Sequence, residues 1–275
     1  MTKKRLRISL VVFGVLLLLI LAGIFLTASP GGEEESIKEV MKDAVLHDRE
    51  KVEVFGLSVN PGLISAYIVT GILLLAAVLI RIFAVPQFKE VPGKLQSVLE
   101  AAVGFFDGMA VEKSPHRNKF LSAYIFTAGA YIFIGTLFEL LGLQAVTVSG
   151  HSISLPAPLS DINGAIGLGV FSYGVILIGG LVAAGTKGML TALKDFSLPI
   201  SMSFRLFGAL LSGALVTELV YHYYSLSFVL PVIVGVLFTL IHAVIQAYVL
   251  TMLVSQFYGE STEKHEKKAK KAATL

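Results

Sequence analysis

The chain has 275 residues, of which 55% are hydrophobic and only 15% are charged, and its mean hydropathy is +0.80. A soluble domain of this length is far more polar, so the composition predicts a membrane protein. The sequence contains no cysteine, which excludes disulfides, thiolate nucleophiles and cysteine-ligated metals. Because each membrane-spanning helix takes about 20 apolar residues, the length leaves no room for a sizeable soluble catalytic domain.

Six long apolar runs follow one another along the chain, and each has the length of a membrane-spanning helix. Alternation with a period of two is missing, so these runs predict helices rather than a β-barrel. The expected fold is an all-α membrane protein with about six transmembrane helices. The predicted spans are residues 8–27, 62–84, 118–142, 162–185, 197–223 and 228–257.

Lysine and arginine are concentrated on one side of the predicted spans. They precede the first span, lie between spans two and three and between spans four and five, and follow the last span. The positive-inside rule therefore places both termini in the cytoplasm. The segment after the first span is acidic, and its few basic residues are Lys38, Lys42, Arg49 and Lys51.

The beginning of the chain fits two interpretations. Residues 1–30 combine a basic start, an apolar stretch and small residues at Thr27-Ala28-Ser29, which is typical of a cleaved signal peptide or of a membrane anchor. The apolar stretch is long for a signal peptide, so an anchor helix is preferred. The other predicted parts are an acidic extracytoplasmic segment at 31–61, a membrane domain at 62–258 and a basic cytoplasmic tail at 259–275.

Segment 92–112 is too polar to span a bilayer, yet its apolar residues recur at helical spacing. This pattern predicts an amphipathic helix along the cytoplasmic surface. The apolar residues are Leu95, Val98, Leu99, Ala102, Phe105 and Phe106.

Arg205 is the most informative residue within the predicted spans. It lies about eight residues into the fifth span, roughly 12 Å from the cytoplasmic start, and no acidic residue accompanies it between Ser197 and Thr217. A guanidinium keeps its proton, so it must meet water, carbonyls or a carboxylate of another chain. We therefore expect a partner subunit. The alternative is an arginine held by helix-end carbonyls or lipid phosphate.

The sixth span adds polar residues at a similar depth. Gln246 lies about 14 Å from the cytoplasmic end of that span, and His242 lies one turn further out on the same face. Gly208 and Ser212 follow Arg205 on its own face and leave it small enough for another helix to approach closely. Taken singly, the glutamine or the histidine is explained equally well by a helix-packing hydrogen bond.

Four ionisable residues are predicted near the external surface. Glu139 and Asp161 flank the loop between spans three and four, and Glu218 and His222 lie one turn apart on the fifth span. Together they indicate a water-filled vestibule that does not cross the membrane. Individually, Glu139 or Asp161 is explained equally well as an interfacial residue satisfied by water.

Several functional classes find no support. The sequence has no P-loop, no HExxH zinc motif and no GxSxG nucleophile elbow. We therefore expect no cofactor, no metal site, no nucleic-acid partner and no catalytic activity of the chain itself.

Three segments resemble subunit a of bacterial F-type ATP synthase. Arg205-Leu206-Phe207-Gly208 is similar to the family's R-L-F-G context around its signature arginine. Residues 245–258, IQAYVLTMLVSQFY, resemble the family's last helix with its glutamine. Residues 158–170, PLSDINGAIGLGV, resemble the acidic start of the helix after the external loop, and FELLGL precedes them.

The resemblance implies a five-helix core with a long tilted hairpin of the last two helices, preceded here by an extra N-terminal helix. It implies an ion-translocating stator subunit that guides H⁺ or Na⁺ through two offset half-channels. The expected partners are a rotating ring of c subunits, the b subunits of the peripheral stalk and the remaining synthase subunits. The expected location is the bacterial plasma membrane.

The resemblance also implies roles for individual residues. Arg205 would face the c-subunit carboxylate, Gln246 would support it, and Gly208 and Ser212 would permit close approach of the rotor. The candidates for the outer half-channel are Glu218, His222, His242, Asp161, Asn163 and Glu139.

The sequence departs from the family at three positions. Ala209 stands where Asn is common after R-L-F-G, Ala214 stands where a carboxylate is frequent, and Thr239 stands where a polar partner commonly precedes the glutamine. Glu218, one turn after Ala214, is a candidate substitute for that carboxylate. The rival function is a stand-alone secondary transporter, but the repeated halves and broken helices typical of that class are not visible in the sequence.

Overall fold

The computed structural model describes residues 15, 22, 52–54, 57–146, 152–222 and 230–263, with side chains at 15, 22, 59–144, 155–213, 215–216, 232–233 and 235–263. The chain divides into two compact units. One comprises Met1–Arg49 and Leu211–Thr239, and the other comprises Glu50–Leu210 and Leu240–Leu275. The predicted first span at 8–27 lies outside the described residues, apart from Val15 and Ala22.

Six α-helices account for most of the described chain. They are α1 (Pro61–Leu79), α2 (Lys94–Lys113), α3 (Asn118–Phe138), α4 (Ile162–Leu193), α5 (Leu198–His222) and α6 (Leu230–Thr262). A π-helical turn (Ile80–Ala84) and a 3₁₀ turn (Val85–Gln87) extend α1, and a 3₁₀ turn (Glu139–Leu141) extends α3.

Four of these helices are long and apolar enough to cross a membrane, judged over the described residues. These segments are Pro61–Gln87, Asn118–Leu141, Ile162–Leu193 and Gly235–Thr262. The prediction of a helical membrane protein is confirmed at spans two, three, four and six. The fifth predicted span is helical throughout, although its apolar part within the described residues, Leu198–Gly213, is shorter than a full span.

Two small antiparallel hairpins were not predicted from the sequence. In the first, β1 (Val52–Val54) pairs with β2 (Leu57–Val59), and in the second, β3 (Gln144–Val146) pairs with β4 (Ser152–Ser154). Each strand has three residues, which is too short for the alternation of apolar and polar residues that identifies a strand.

A side-chain cap defines where α1 begins, and a glycine defines where α3 ends. Asn60 precedes α1 and accepts a hydrogen bond from the Gly62 amide at 3.0 Å, with Pro61 at the first helical position. Such a cap satisfies an amide that the helix itself leaves unpaired. At the other end of a span, Gly142 adopts a φ of +54° directly after Glu139–Leu141. This left-handed conformation stops α3, because glycine adopts it without strain.

The amphipathic segment forms helix α2, which packs against α3 and α6. The Phe106 ring stands edge-on to Phe126 with centroids 5.7 Å apart. A Cβ on Gly129 would come within 2.7 Å of the Phe106 ring and within 3.2 Å of Thr251. The three helices therefore approach closely at Gly129. The location of α2 at the membrane surface stays a prediction.

Helix α4 reverses direction at Gly185. Its φ of +65° and ψ of −147° interrupt the helical conformation, and glycine tolerates that region better than other residues. The segments on either side then pack against each other: a Cβ on Gly188 would collide with the Gly180 carbonyl oxygen, and the Tyr173 hydroxyl donates to the Ala192 carbonyl oxygen at 3.2 Å. The reversal brings the chain back to the start of α5.

The end of α6 is anchored to the turn between α2 and α3. The Ser114 and Thr262 hydroxyls lie 3.3 Å apart, and His116 Nε2 donates to the Thr262 carbonyl oxygen at 3.1 Å. Ser261 also donates to the Ile176 carbonyl oxygen of α4 at 3.4 Å. These contacts fix one end of α6 against three other elements.

The close approach at Gly188 predicts that Gly188→Ala destabilises the protein. The added methyl group would overpack the contact with Gly180 and with the Ser261 carbonyl oxygen, at a cost of about 1–3 kcal/mol. Thermal unfolding of the purified chain in detergent should show a lower midpoint. The matched control is Gly174→Ala on the same helix, where nothing lies within 4 Å of an added Cβ. Equal midpoints for the two variants would contradict the predicted overpacking.

Candidate functional site

Arg205 lies on the exposed face of α5. Ser201, Arg205 and Gly208 are all exposed and follow one another at helical spacing. The opposite face carries Met202, Leu206 and Leu210, which are buried in the main hydrophobic core. The core contacts of α5 therefore direct the guanidinium away from the protein interior.

A close helix contact fixes this orientation. A Cβ on Gly169 of α4 would collide with the Ser203 hydroxyl and would approach the Pro199 carbonyl oxygen to 2.9 Å. Only a residue without a side chain allows α4 and α5 to meet there. Because Ser203 faces α4, Arg205, two residues further along the helix, is rotated well away from that contact.

Arg205 makes no hydrogen bond and no ion pair with any residue that the structure describes. Its charge is permanent at any physiological pH, and an isolated charge at membrane depth is costly. The stretch from Ser197 to Thr217 contains no acidic residue, and no described residue elsewhere in the chain forms an ion pair with Arg205. The guanidinium is available to an acceptor outside this chain.

Gln246 of α6 is 7% exposed and lies beside the buried residues Ala243 and Ala247. Its side-chain carbonyl oxygen, Oε1, is buried and has no hydrogen-bond partner in the described part of the chain. An unsatisfied buried acceptor costs about 1–3 kcal/mol. Gln246 is thus a buried polar residue whose side-chain oxygen is left unsatisfied by the described part of the chain. Arg205 and Gln246 are not joined by a hydrogen bond.

His242 lies one turn before Gln246 on α6 and is half-buried. Gly208 is exposed, with nothing within 4 Å of an added Cβ, which agrees with the open face expected beside Arg205. Ser212 is also exposed and belongs to the other compact unit.

The groove between α4 and α5 is apolar and offers no route for an ion. It encloses about 200 Å³. Its walls are formed mainly by Ile162, Ile166 and Val170 of α4 and by Ile200, Phe204 and Phe207 of α5. Because such walls provide almost no ligand for a charge, an ion path along α5 must lie on another face of the helix.

The structure brings Asp161 and Asn163 together at the start of α4. Asp161 Oδ1 accepts hydrogen bonds from the Asn163 backbone amide at 2.9 Å and from its side-chain amide at 3.2 Å. Asp161 is 9% exposed. A Cβ added to Gly62 would come within 3.1 Å of the Asp161 Cβ. Asp161 is therefore a helix cap, a role that sequence reasoning did not assign to it.

Glu139 begins the 3₁₀ turn that ends α3 and is half-buried. Three residues earlier, Thr136 is 1% exposed, and its hydroxyl has no hydrogen-bond partner among the described residues. Sequence reasoning missed Thr136 because threonine is common in apolar helices. Its spacing from Glu139, which places the two on one helix face, is the signal that could have identified it.

Glu218 and His222 lie within the helical range of α5, but their side chains are outside the description, so their place in a vestibule stays a prediction. Among the described residues, no group of three His, Asp or Glu side chains could hold a metal ion.

The cap predicts that Asp161→Ala destabilises the start of α4 by about 1 kcal/mol. Asp161→Asn is the matched control, because its amide oxygen can still accept from the Asn163 backbone amide. Thermal unfolding in detergent should rank the Asn variant near the wild type and the Ala variant below both. A common midpoint for the two variants would show that the cap contributes nothing measurable.

Known proteins resemble this chain over most of its length. The sequence pattern of the family described as ATP synthase A chain matches residues 64–259. Two proteins named ATP synthase subunit a, from Cereibacter sphaeroides strains ATCC 17025 / ATH 2.4.3 and ATCC 17029 / ATH 2.4.9, are each 27% identical to this chain over 210 residues. Each alignment covers 72% of this chain and 80% of the relative.

The matched region contains helices α2 to α5 and nearly all of α1 and α6, together with Arg205, Gln246 and the Asp161 cap. A match of this extent establishes more than a shared composition of apolar helices. The chain belongs to the ATP synthase A chain family and is therefore a multi-pass membrane subunit of the non-catalytic Fo sector of F-type ATP synthase.

Proposed function

We propose that the chain carries H⁺ or Na⁺ through two offset half-channels and couples this flow to rotation of a c-subunit ring. The observation that carries the proposal is the position of Arg205: an always-charged residue on an exposed, small-residue face of α5, with no partner in the described chain. A passing carboxylate on the rotor supplies the missing anion. The b subunits and the other synthase subunits hold the chain as a static element.

Arg205 performs two tasks in this proposal. Its positive charge repels a cation that would otherwise cross directly from one half-channel to the other. It also attracts a rotor carboxylate that has released its ion, and so holds that site in its charged form near the exit. The small neighbours Ser201 and Gly208 leave space for the rotor helix to approach.

Gln246 supplies a hydrogen-bond acceptor near the path. Its buried oxygen lacks a donor among the described residues, and a guanidinium or a protonated rotor carboxyl can provide one. We infer that Gln246 becomes satisfied in the assembled complex and restricts the geometry of the exchanging groups.

Torque arises in this proposal from the cost of moving charge into lipid. A rotor carboxylate that has bound its ion is neutral and enters the hydrocarbon easily, whereas the ionised form pays at least about 2.5–3.5 kcal/mol. The ion enters from outside through a vestibule lined by Glu139, Asp161, Asn163, Glu218, His222 and His242, binds the carboxylate, and leaves to the cytoplasm after nearly one turn.

The excess of basic residues on one side supports an orientation with both termini in the cytoplasm of a bacterial cell. In that orientation, the turn between α2 and α3 and the end of α6 lie at the cytoplasmic side. The Asp161 cap and the Glu139 turn lie at the external side.

Arg205→Ala should abolish coupled ATP synthesis, with a loss of at least about 100-fold, because removing one partner of a desolvated charge pair costs about 3–5 kcal/mol. The complex should still assemble, since Arg205 makes no contact that holds the described fold together. ATP synthesis driven by an ion gradient in membrane vesicles measures the first outcome, and copurification of the subunits measures the second. Lys187→Ala removes an exposed cation outside this face and serves as control. Retained coupling in Arg205→Ala would refute the proposed role.

Glu218→Gln should slow ion entry from the external side on the order of 100-fold, as expected when a positioned proton-transfer carboxylate is removed. Ion uptake by vesicles, driven from that side, is the appropriate measurement. Glu100→Gln, which neutralises an exposed carboxylate on α2, is the matched control and should leave uptake unchanged. If uptake by Glu218→Gln equals that of the wild type, Glu218 is not on the path.

A further inference from the structure

A cationic cavity lies where the turn between α2 and α3 meets the end of α6. It has a volume of about 290 Å³ and is lined by His116, Arg117, Asn118, Lys119, Phe120 and Tyr258. Three of these side chains are basic and none is acidic. Its volume is close to the lower limit of small-ligand sites, about 300 Å³, so the cavity can accept a compact anionic group.

The two cations of the cavity are not neutralised by the protein. Arg117 and Lys119 are exposed and form no ion pair with any described residue. Arg117 Nη2 donates to the Val182 carbonyl oxygen at 3.3 Å, which positions the guanidinium without cancelling its charge. A guanidinium held in this way still offers several donors to a phosphate.

The neighbouring cation, Lys113, differs in this respect. Its ammonium lies 2.8 Å from Glu112, and this hydrogen bond raises the pKa of Lys113 above its ordinary value. An adjoining groove of about 770 Å³ is lined by Glu112, Glu260 and Glu263, and His116 and Arg117 border this groove as well as the cavity. The carboxylates disfavour an anion in the groove, so the favourable position for an anion is the side of Arg117 that adjoins Lys119.

The apolar surroundings indicate the kind of anion. Phe120 is 60% exposed and Val182 is 61% exposed, and both lie on helices that are long and apolar enough to cross a membrane. The cavity thus adjoins the polar end of α3 and exposed apolar surface on two helices that have the length and composition of membrane spans. A ligand that fits both parts has a negatively charged head and an apolar tail.

We propose that this cavity binds the phosphate headgroup of an anionic phospholipid, with its acyl chains lying against Phe120 and Val182. The headgroup phosphate is held by Arg117 and Lys119, and His116 stands beside it with Nε2 already donating to the Thr262 carbonyl oxygen. The bound lipid covers the junction that joins α2, α3 and α6. This inference requires membrane embedding and is independent of the roles given to Arg205 and Gln246.

The test uses the assembled ATP synthase containing the full chain, reconstituted in phosphatidylcholine vesicles with increasing fractions of phosphatidylglycerol. A photocrosslinking amino acid, p-benzoylphenylalanine, replaces the exposed Phe120 and reports which lipid occupies the cavity. Mass spectrometry of the chain after illumination gives the yield of each lipid adduct. We expect phosphatidylglycerol adducts that saturate as its fraction rises.

The double variant Arg117→Gln with Lys119→Gln should shift this saturation to a roughly 30-fold higher fraction of phosphatidylglycerol, because each basic residue strengthens binding of the anionic lipid about fivefold. The matched control, Lys187→Gln with Lys194→Gln, removes the same charge outside the cavity and should leave the saturation unchanged. If the double variant fails to assemble, Lys119→Gln alone should give a shift of about fivefold.

Three outcomes would overturn the proposal. Equal shifts in the double variant and its control would show unspecific attraction to the charged membrane. Adducts that form equally with phosphatidylcholine would show an apolar contact without headgroup binding. Suppression of the phosphatidylglycerol adduct by inorganic phosphate would identify free phosphate as the ligand. ATP synthesis by the same vesicles is measured in parallel, so a failure of the proposed ion path is recognised separately.

Discussion

A guanidinium that cannot lose its proton, placed on the outward face of a membrane helix, is the constraint from which the proposed mechanism follows. The insertion cost of a charge at the centre of a bilayer is at least about 2.5–3.5 kcal/mol. Moving one elementary charge through 100 mV provides about 2.3 kcal/mol. The two free energies are similar. Leaving one charge unpaired in the bilayer would therefore cost about as much free energy as the membrane potential supplies when one ion crosses. An anion that meets Arg205 therefore changes the energetics of transport itself.

The packing on the opposite side of α5 makes this placement possible. Met202, Leu206 and Leu210 are buried in the core, and Gly169 lets the backbone of α4 reach Ser203 and Pro199. These contacts fix the rotation of α5 about its axis. The orientation of the charged face is thus determined by buried apolar residues and by small residues at the helix contacts, and not by Arg205 itself.

Hydropathy predicted much of the described fold. Four spans were located to within a few residues because burial in a bilayer demands long uninterrupted apolar runs. The reversal at Gly185 escaped prediction, since a single glycine in an apolar run also fits an unbroken helix. The strands of the two hairpins have three residues each and provide too little pattern for prediction.

The candidate site was predictable in a different way. Arg205 and Gln246 stand out because polar residues are rare in apolar spans, and the sequence therefore identified them directly. Their exposure and burial depend on tertiary packing. No spacing rule shows that the Gln246 oxygen and the Thr136 hydroxyl lack a hydrogen-bond partner among the described residues. Asp161 was interpreted as an ionisable group of the outer half-channel. An aspartate directly before the first helical residue is also typical of a cap that accepts a hydrogen bond from a backbone amide in the first turn.

The cap does not conflict with a role for Asp161 in ion entry, because its two oxygens have different surroundings. Oδ1 accepts both hydrogen bonds from Asn163, whereas Oδ2 makes none with the described residues. Gly62, opposite this carboxylate, has no side chain, and even an added Cβ there would stay 3.9 Å from Oδ2. One oxygen can therefore hold the helix start in place while the other meets water or an incoming ion. A carboxylate anchored in this way keeps a fixed position at the start of α4, which the proposed entry site would require.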